Sequence, residues 1–286
     1  MTRNPIAILT DSTCDIPDNL IAQYGIIVIP QYIIWGDQQY RDRVDLQPLE
    51  FYQRLANDPQ RPTTAVASVA DFQQAIQVAI SQGAKEAIIL TVSGAMSGVF
   101  QTAQSAAKSA PIPVSVVDSK GASMALGWQV LAAARARDAG YKMSEILSDV
   151  DRVGNKMEFF VTLETLEYLQ RGGRIGDAVK WVSNLLHVKP LIYFSHQTGR
   201  IEPIGVVRTH KALVELMVRK FSEKLQGGKN FHIAVLHGNA EEDANLLAGR
   251  IKAEFNPTEL VVRMTGPILG IHSGPGALAL CGYAED

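Results

Sequence analysis

The chain has 286 residues, of which 47% are hydrophobic and 20% are charged, and its net charge at pH 7 is −2. That length suffices for two domains with hydrophobic cores, and the near-neutral charge gives no global field that would attract nucleic acid or anionic lipid. The first residues lack a basic region followed by a long apolar core, and no apolar run reaches the roughly 18 residues of a membrane span. We therefore expect a soluble, cytoplasmic protein.

Metal-binding and disulfide patterns are missing from the sequence. Cys14 and Cys281 do not have the spacing of a metal site, and nothing in the sequence supports a disulfide between them. His232 and His237 are five residues apart on a predicted strand, so their side chains point to opposite faces and cannot share a metal ion. We expect no cofactor and no metal.

The first half of the chain repeats a short apolar run, a polar loop and an amphipathic helix. The apolar runs are Pro5–Leu9, Gly25–Pro30, Ala87–Leu90 and Val114–Val117. Helices are predicted near Pro17–Tyr24, over about Gly98–Ser109, and in an Ala-rich segment that ends near Asp138. This alternation predicts a parallel sheet covered by helices, with strand-to-helix loops at its carboxyl edge, where ligands of such sheets usually bind. Asn57–Ser68 is the longest segment without predicted structure.

From about residue 155 the pattern indicates a mixed α/β arrangement. Two strands flank a predicted turn at Thr198–Gly199, and helices then alternate with strands over His210–Leu225, His232–Leu236, Ala240–Phe255 and Leu260–Met264. The predicted fold class is therefore α/β with two domains. Residues 1–155 form an N-terminal domain with a parallel, Rossmann-like sheet and flanking helices, and residues 156–286 form a C-terminal mixed α/β domain.

Two serines follow the buried strand Ala87–Leu90, in the loop VSGAMSG before a predicted helix. Ser97 suits a helix N-cap, because its oxygen can accept from the unpaired N–H groups of the first turn. Alternatively, its hydroxyl and those N–H groups bind an anion. A nucleophile elbow requires Gly-x-Ser-x-Gly. Here Gly94 and Gly98 flank Ser97 in the order Gly-Ala-Met-Ser-Gly, which does not have the spacing of that motif. That spacing, without an evident Asp–His pair, disfavours a Ser-dependent acyl hydrolase.

Other polar residues have structural explanations that compete with functional ones. His272 lies in the Gly-rich segment GPILGIHSGPGALAL, and a lone histidine is more often structural than a ligand group. Arg171 and Arg174 flank a Gly-Gly pair that is typical of a helix C-cap with left-handed glycines, although they could equally form an exposed patch for a partner. Thr209 is a suitable helix cap, whereas Arg208 before it has no such role, which favours an ion pair or anion binding.

The chain resembles the DegV family in a series of segments that occur in order over nearly its whole length: TDSTCDIP, PTT, SGAMSG, VVDSKGAS, LEYLQRGGRIG, the block from KPLI to VRT and KAL, and GPILGIHSGPGALAL. The resemblance implies a two-domain α/β protein that binds one long-chain fatty acid and has no catalytic residues. In bacteria that have the matching kinase, such proteins present the acid to a separate fatty acid kinase subunit, which makes the acyl phosphate.

The resemblance also implies which residues bind the carboxylate. Thr64 of the Pro-Thr-Thr loop and Ser97 of the Ser-Gly-rich loop match the two hydroxyl residues that hold it in the family. His272 matches the histidine of the C-terminal Gly-rich loop, and Arg208 matches the arginine of the V-R-T segment. We place these four residues at the carboxylate.

Arg171 and Arg174 match the Gly-Gly loop, which we assign to docking of the partner. The chain departs from the family beside the expected head group. It has Ala65–Ala67 where the family usually continues Ser-Gln-Pro, and Val99 and Phe100 where the family usually has Thr and Tyr. The head-group hydroxyls are retained, and the rim of the pocket becomes more apolar.

Fatty acid binding requires an apolar tunnel and a satisfied carboxylate. Each buried methylene contributes about 0.8 kcal/mol, whereas a buried carboxylate without partners costs several kcal/mol. Hydroxyl donors, helix-terminal N–H groups and an imidazole suit that head group without any acid–base pair. Two alternatives remain at this point: an acyl hydrolase with Ser97 as its nucleophile, and a lipid sensor without a kinase partner.

Overall fold

The computed structural model describes residues 5–179 and 188–285. The first half contains a parallel sheet whose strands, numbered along the chain, are β1 (Ile6–Asp11), β2 (Ile27–Ile29), β6 (Glu86–Thr91) and β7 (Val114–Asp118). Their order in the sheet is β2-β1-β6-β7. Because the chain proceeds to opposite sides of β1, the loops after β1 and β6 border a crevice at the carboxyl edge of the sheet.

Three helices pack on this parallel sheet: α3 (Val69–Ser81), α4 (Val99–Ala107) and α5 (Met124–Asp138). Two further helices, α1 (Asp18–Tyr24) and α6 (Met143–Asn155), pack against α5. α3 begins with a capping box, in which the Ser68 and Asp71 side chains each accept from the other residue's backbone N–H. α5 is buried on nearly all sides, because it also contacts the six-stranded sheet that the second half of the chain forms. Its Ala-rich sequence suits that position.

A small antiparallel sheet lies beside the first one. Its strands are β3 (Tyr32–Trp35), β4 (Gln38–Arg41) and β5 (Thr63–Ala65), in the order β4-β3-β5, and α2 (Pro48–Asn57) lies between β4 and β5 in the chain. The absence of structure predicted for Asn57–Ser68 is therefore wrong in part, because β5 lies within that segment and pairs with β3.

The second half forms a six-stranded sheet in the order β10-β9-β8-β13-β11-β12. Its strands are β8 (Glu158–Thr162), β9 (Lys189–Ser195), β10 (Arg200–Val207), β11 (Phe231–His237), β12 (Glu259–Met264) and β13 (Leu278–Ala284). Its helices are α7 (Glu167–Arg171), α8 (His210–Leu225), α9 (Glu241–Phe255) and α10 (Pro267–Ser273). The predicted turn at Thr198–Gly199 joins the antiparallel strands β9 and β10, and Thr209 caps α8 as predicted.

One hydrophobic core lies between the parallel sheet and the six-stranded sheet and includes Leu9, Leu90, Trp128, Phe159 and Leu236. The predicted fold class, an α/β chain with a parallel first sheet and a mixed second region, is confirmed. The first two sheets end before residue 155 and the third begins after it, whereas the core is continuous. The division into domains at residues 155 and 156 stays a prediction.

Cys14 and Cys281 are both buried and both free, so no disulfide joins them. In the segments 5–179 and 188–285, none of the helices combines the length and the apolar character needed to cross a bilayer.

Candidate functional site

An apolar cavity lies between the carboxyl edge of the parallel sheet and one face of the six-stranded sheet. The six-stranded sheet contributes every other residue of β8 and of β9, as expected for one face of a pleated sheet. The principal apolar side chains of the wall are Val92, Met96, Phe159, Val161, Leu163, Leu169, Ile192, Phe194, Ile201, Leu236, Ile268 and Leu269. The cavity therefore lies where the sequence predicts ligand binding, at the strand-to-helix loops.

Polar side chains from four parts of the chain meet in the cavity wall. Thr64 comes from β5, Ser97 from the loop after β6, His272 from α10, and Arg174 from the turn after α7. Thr64 Oγ1 lies 3.5 Å from His272 Nε2. The structure thus brings together Thr64, Ser97 and His272, as the sequence predicts, and adds Arg174 to them. These four residues are called the head-group cluster below.

The cap predicted for Ser97 is wrong by one residue. α4 begins at Val99, and its N-cap is Gly98, which has no side chain to bond the first turn. Ser97 Oγ instead accepts from the backbone N–H of Val99 at 3.4 Å. Within the described residues no acceptor pairs with the Ser97 hydroxyl hydrogen, so this hydroxyl remains available as a donor.

Ser93 fixes the loop that carries Ser97. Its hydroxyl donates to the Gly199 carbonyl at 2.7 Å and accepts from the Ala95 N–H at 3.2 Å. A Cβ on Gly199 would lie 2.4 Å from Ser93 Oγ, so the close approach requires glycine. Ser93 therefore shapes the turn and also ties the loop to the β9–β10 hairpin, 106 residues away.

A buried carboxylate, Asp15, fixes the start of the helix that carries His272. Asp15 Oδ1 accepts from the Gly266 N–H at 2.9 Å, and Asp15 Oδ2 accepts from the Ser123 hydroxyl at 2.6 Å. Burial raises the pKa of Asp15, while the Arg43 cation acts in the opposite direction. Because Gly266 is the N-cap of α10, these bonds tie the start of that helix to the loops of the parallel sheet.

Burial lowers the pKa of His272 to about 4, and the nearby Arg174 cation acts in the same direction. His272 is therefore neutral at pH 7, and its Nδ1 has no hydrogen-bond partner among the described residues. Gly172 packs against this ring so closely that a Cβ there would lie 2.2 Å from Nδ1. The ring position thus depends on the absence of a side chain at residue 172.

The Gly-Gly pair ends α7 as a Schellman motif. The N–H groups of Gly173 and Arg174 bond back to carbonyls of the last turn, and Gly173 has the left-handed φ of +69°. Gly172 is the C-cap with φ of −74°, so only one of the two glycines is left-handed. The predicted C-cap is confirmed, and Gly172 serves the contact with His272 instead.

Arg174 is held by backbone carbonyls. Its Nε donates to the Met96 carbonyl at 3.2 Å, and its Nη1 donates to the Gly172 carbonyl at 2.6 Å. No carboxylate forms an ion pair with it in the part of the chain that the structure describes. The guanidinium charge therefore lies in the cavity wall without a neutralising carboxylate from the described residues.

Arg171 and Arg208 lie outside the cavity. Arg171 is exposed, pairs with Glu167 and lines a surface groove next to the head-group cluster. Arg208 is exposed and follows β10. Seven residues of strand, about 23 Å, separate it from Ile201, the cavity residue near the start of β10. The structure does not bring Arg208 to the head-group cluster, and we leave it out of the carboxylate site.

No hydrolytic triad surrounds Ser97 among the residues that the structure describes. Within residues 5–179 and 188–285, no hydrogen bond joins Ser97 to a histidine, and no carboxylate orients His272. In the same segments, no group of His, Cys, Asp and Glu side chains is arranged to hold a metal ion. The geometry favours binding of an anionic group over nucleophilic attack by Ser97.

Some polar residues of the cavity wall are not among the candidates found from the sequence. Thr13, Gln31, Ser123 and His237 all line the cavity and are buried. Thr13 and Gln31 follow β1 and β2 at the carboxyl edge of the sheet, so strand topology was the available signal for them. The sequence did single out Arg174, but for docking of a partner and not for the cavity wall.

Comparison with known proteins gives the family. The model of the DegV family, a family of uncharacterised proteins, matches residues 5–285. The chain belongs to the DegV family. A DegV domain-containing protein of Streptomyces coelicolor is 34% identical over 283 residues, 98% of each chain. Another, from Clostridium perfringens, is 33% identical over 276 residues, 96% of this chain and 97% of the relative.

Solved DegV structures have the same fold. A DegV family protein of Thermus thermophilus, described for its fatty acid binding, has a TM-score of 0.92 and 31% identity and covers 99% of this chain and 100% of its own. DegV of Bacillus subtilis, described as a fatty acid binding protein, has a TM-score of 0.89 and 26% identity, with coverage of 99% and 100%. The resemblance to DegV found in the sequence is thereby confirmed.

Proposed function

We propose that this DegV protein binds one long-chain fatty acid, with its tail between the two sheets and its carboxylate at the head-group cluster. The observation that carries the proposal is the apolar cavity whose wall includes the Ser97 hydroxyl and the Arg174 guanidinium, neither of which has an anionic partner in the described chain. The descriptions of the similar proteins from T. thermophilus and B. subtilis as fatty acid binding support it.

The head-group cluster meets the requirements of a carboxylate at neutral pH. Because His272 is neutral there, the positive charge comes from Arg174. Hydroxyl groups of Thr64 and Ser97 add donors, and hydrogen bonds to a charged group are stronger than those between neutral groups. A bound carboxylate would raise the pKa of His272 above its value in the free protein, because the opposite charge favours the imidazolium.

We further propose that the protein is a non-catalytic cytoplasmic carrier that presents the carboxylate to a fatty acid kinase. Thr64, Arg174 and His272 line both the cavity and the surface groove, which also contains Arg61 and Arg171. A partner at this groove could reach the carboxylate. In its active site a carboxylate oxygen would attack the γ-phosphorus of ATP, and ADP would leave. An ionised carboxylate needs no general base for this attack, and in the described residues no histidine forms a hydrogen bond with Ser97.

Mass spectrometry of the lipid extracted from the purified protein tests the binding proposal. We expect about one straight-chain or branched fatty acid per chain, and reloading of the delipidated protein by added fatty acid. A protein that carries no acyl chain and takes up none after delipidation would contradict the proposal. A phosphonate probe that labelled Ser97 would instead favour the hydrolase.

Acyl phosphate trapping separates a carrier from a sensor. The protein loaded with radiolabelled fatty acid is incubated with ATP, extract of the source cells and hydroxylamine, which converts acyl phosphate to a hydroxamate. We expect hydroxamate only when extract, ATP and the loaded protein are all present. Hydroxamate formation that does not depend on this protein, or none at all, would leave lipid sensing as the better account.

A further inference from the structure

Gln31 is a buried amide in the wall of the apolar cavity. It lies between β2 and β3, and 2% of its surface is exposed. Its backbone N–H donates to Ser12 Oγ at 3.1 Å, and its Oε1 accepts from the Ala67 N–H at 2.9 Å. Because a backbone N–H only donates, the amide oxygen must face Ala67, which fixes the position of Nε2.

The Nε2 group of Gln31 has no hydrogen-bond partner among the described residues. Buried amides without partners are uncommon in protein interiors, because the lost hydrogen bonds to water are not replaced. The bond from the Ala67 N–H to Oε1 fixes the orientation of the amide. An unpaired donor in a ligand cavity indicates an acceptor on the ligand.

Gln31 is tied to the segment that carries Thr64. Its partner Ala67 comes three residues after Thr64, so the Cα atoms of Thr64 and Ala67 are at most about 11 Å apart. Thr13, next to Ser12, also lines the cavity. The Thr13 hydroxyl donates to Asp11 Oδ1 at 2.6 Å, and its oxygen can still accept a hydrogen bond.

We propose that Gln31 and Thr13 form a subsite for a hydroxyl group in the middle of the acyl chain. The ligand hydroxyl accepts from Gln31 Nε2 and donates to Thr13 Oγ1, so both of its hydrogen-bonding functions are used. A plain methylene at this point leaves Nε2 unpaired. The preferred ligands are therefore long-chain fatty acids that are hydroxylated in mid-chain. This inference rests on the proposed function and names its substrate class.

Calorimetric titration of the delipidated protein with matched eighteen-carbon acids tests the subsite. The acids are hydroxylated in mid-chain, hydroxylated beside the carboxylate, unsubstituted, or cis-unsaturated in mid-chain. The mid-chain hydroxy acids form a series that differs in the position of the hydroxyl group. We expect one member of this series to bind about tenfold more tightly than the acids of the other three classes, as one hydrogen bond allows. Gln31→Leu and the nearly isosteric Gln31→Met should remove this preference. Gln101→Leu, on the exposed face of α4, should retain it.

Equal affinity of the wild-type protein for the hydroxylated and unsubstituted acids would overturn the subsite. So would a preference for the hydroxy acid that persists in both Gln31 variants, or stronger binding of the cis-unsaturated acid, since the shape of the chain would then be the cause. These results leave the proposed function intact. If the wild-type protein binds none of the acids, the proposed function itself is contradicted.

Discussion

The residues of the head-group cluster have hydrogen-bonding capacity that the protein itself does not use. Among the described residues, no acceptor pairs with the Ser97 hydroxyl hydrogen, and Arg174 donates to two backbone carbonyls without a carboxylate partner. A hydroxyl donor and a cation of this kind suit an anion with several acceptor positions.

Replacement of Ser97 by alanine should weaken fatty acid binding about tenfold, because a hydrogen bond to a charged group is lost. The melting temperature should stay nearly unchanged, since within the described residues the Ser97 side chain forms one hydrogen bond, the 3.4 Å bond from the Val99 N–H. Calorimetric titration and thermal unfolding measure the two effects. Ser105→Ala on the exposed face of α4 is the control and should change neither. A lower melting temperature with unchanged affinity would make Ser97 structural.

Arg174 and Arg171 give a matched pair of variants, because one lies in the cavity wall and the other is exposed. Arg174→Gln should weaken fatty acid binding at least about tenfold and raise the pKa of His272 from about 4, since a positive charge that disfavours the imidazolium is removed. Arg171→Gln should leave both nearly unchanged. NMR titration of the imidazole and binding measurements test this. Equal effects of the two variants would contradict a specific role of Arg174.

At the level of elements, the contact between the end of α7 and α10 positions His272. Gly172 has a φ that any residue adopts, so a substitution there introduces a steric conflict with His272 and no backbone strain. Gly172→Ala should therefore displace the imidazole and weaken fatty acid binding by about tenfold or more.

Gly249→Ala is the matched control for this variant. Gly249 lies in α9 with no heavy atom within 4 Å of an added Cβ, so alanine should stabilise the protein by about 0.5 to 1 kcal/mol. Its affinity for fatty acid should equal that of the wild type. If Gly172→Ala binds as tightly as Gly249→Ala, the α7–α10 contact does not position the head-group cluster.

Elements with strong local patterns were predictable, and short elements that depend on distant partners were not. The helix predicted over His210–Leu225 has those bounds in the structure, because its apolar stripe and the Thr209 cap are local signals. β5, with three residues, was missed in a segment rich in proline and polar residues. Its strand conformation results from pairing with β3, about thirty positions earlier in the chain.

At the scale of the whole molecule, the cavity exists because two sheets face each other across one core. The family resemblance identified Thr64, Ser97 and His272, each within a recognisable motif. It could not place Arg174 in the cavity wall, since that position depends on the hydrogen bond from Arg174, in the turn after α7, to the Met96 carbonyl in the loop after β6. The prediction that Arg208 lies at the carboxylate was not supported for a similar reason. The distance of Arg208 from the cavity depends on how β10 lies in the sheet, which the motif does not show.

A crystal structure of the delipidated protein reloaded with a fatty acid brominated near its methyl end tests the central claim most directly. We predict that the carboxylate lies within about 3 Å of the Thr64 and Ser97 hydroxyls and near the Arg174 guanidinium. The anomalous signal of the bromine should lie between the two sheets. A bromine at the head-group cluster, or an acyl chain bound outside the cavity, would contradict the account.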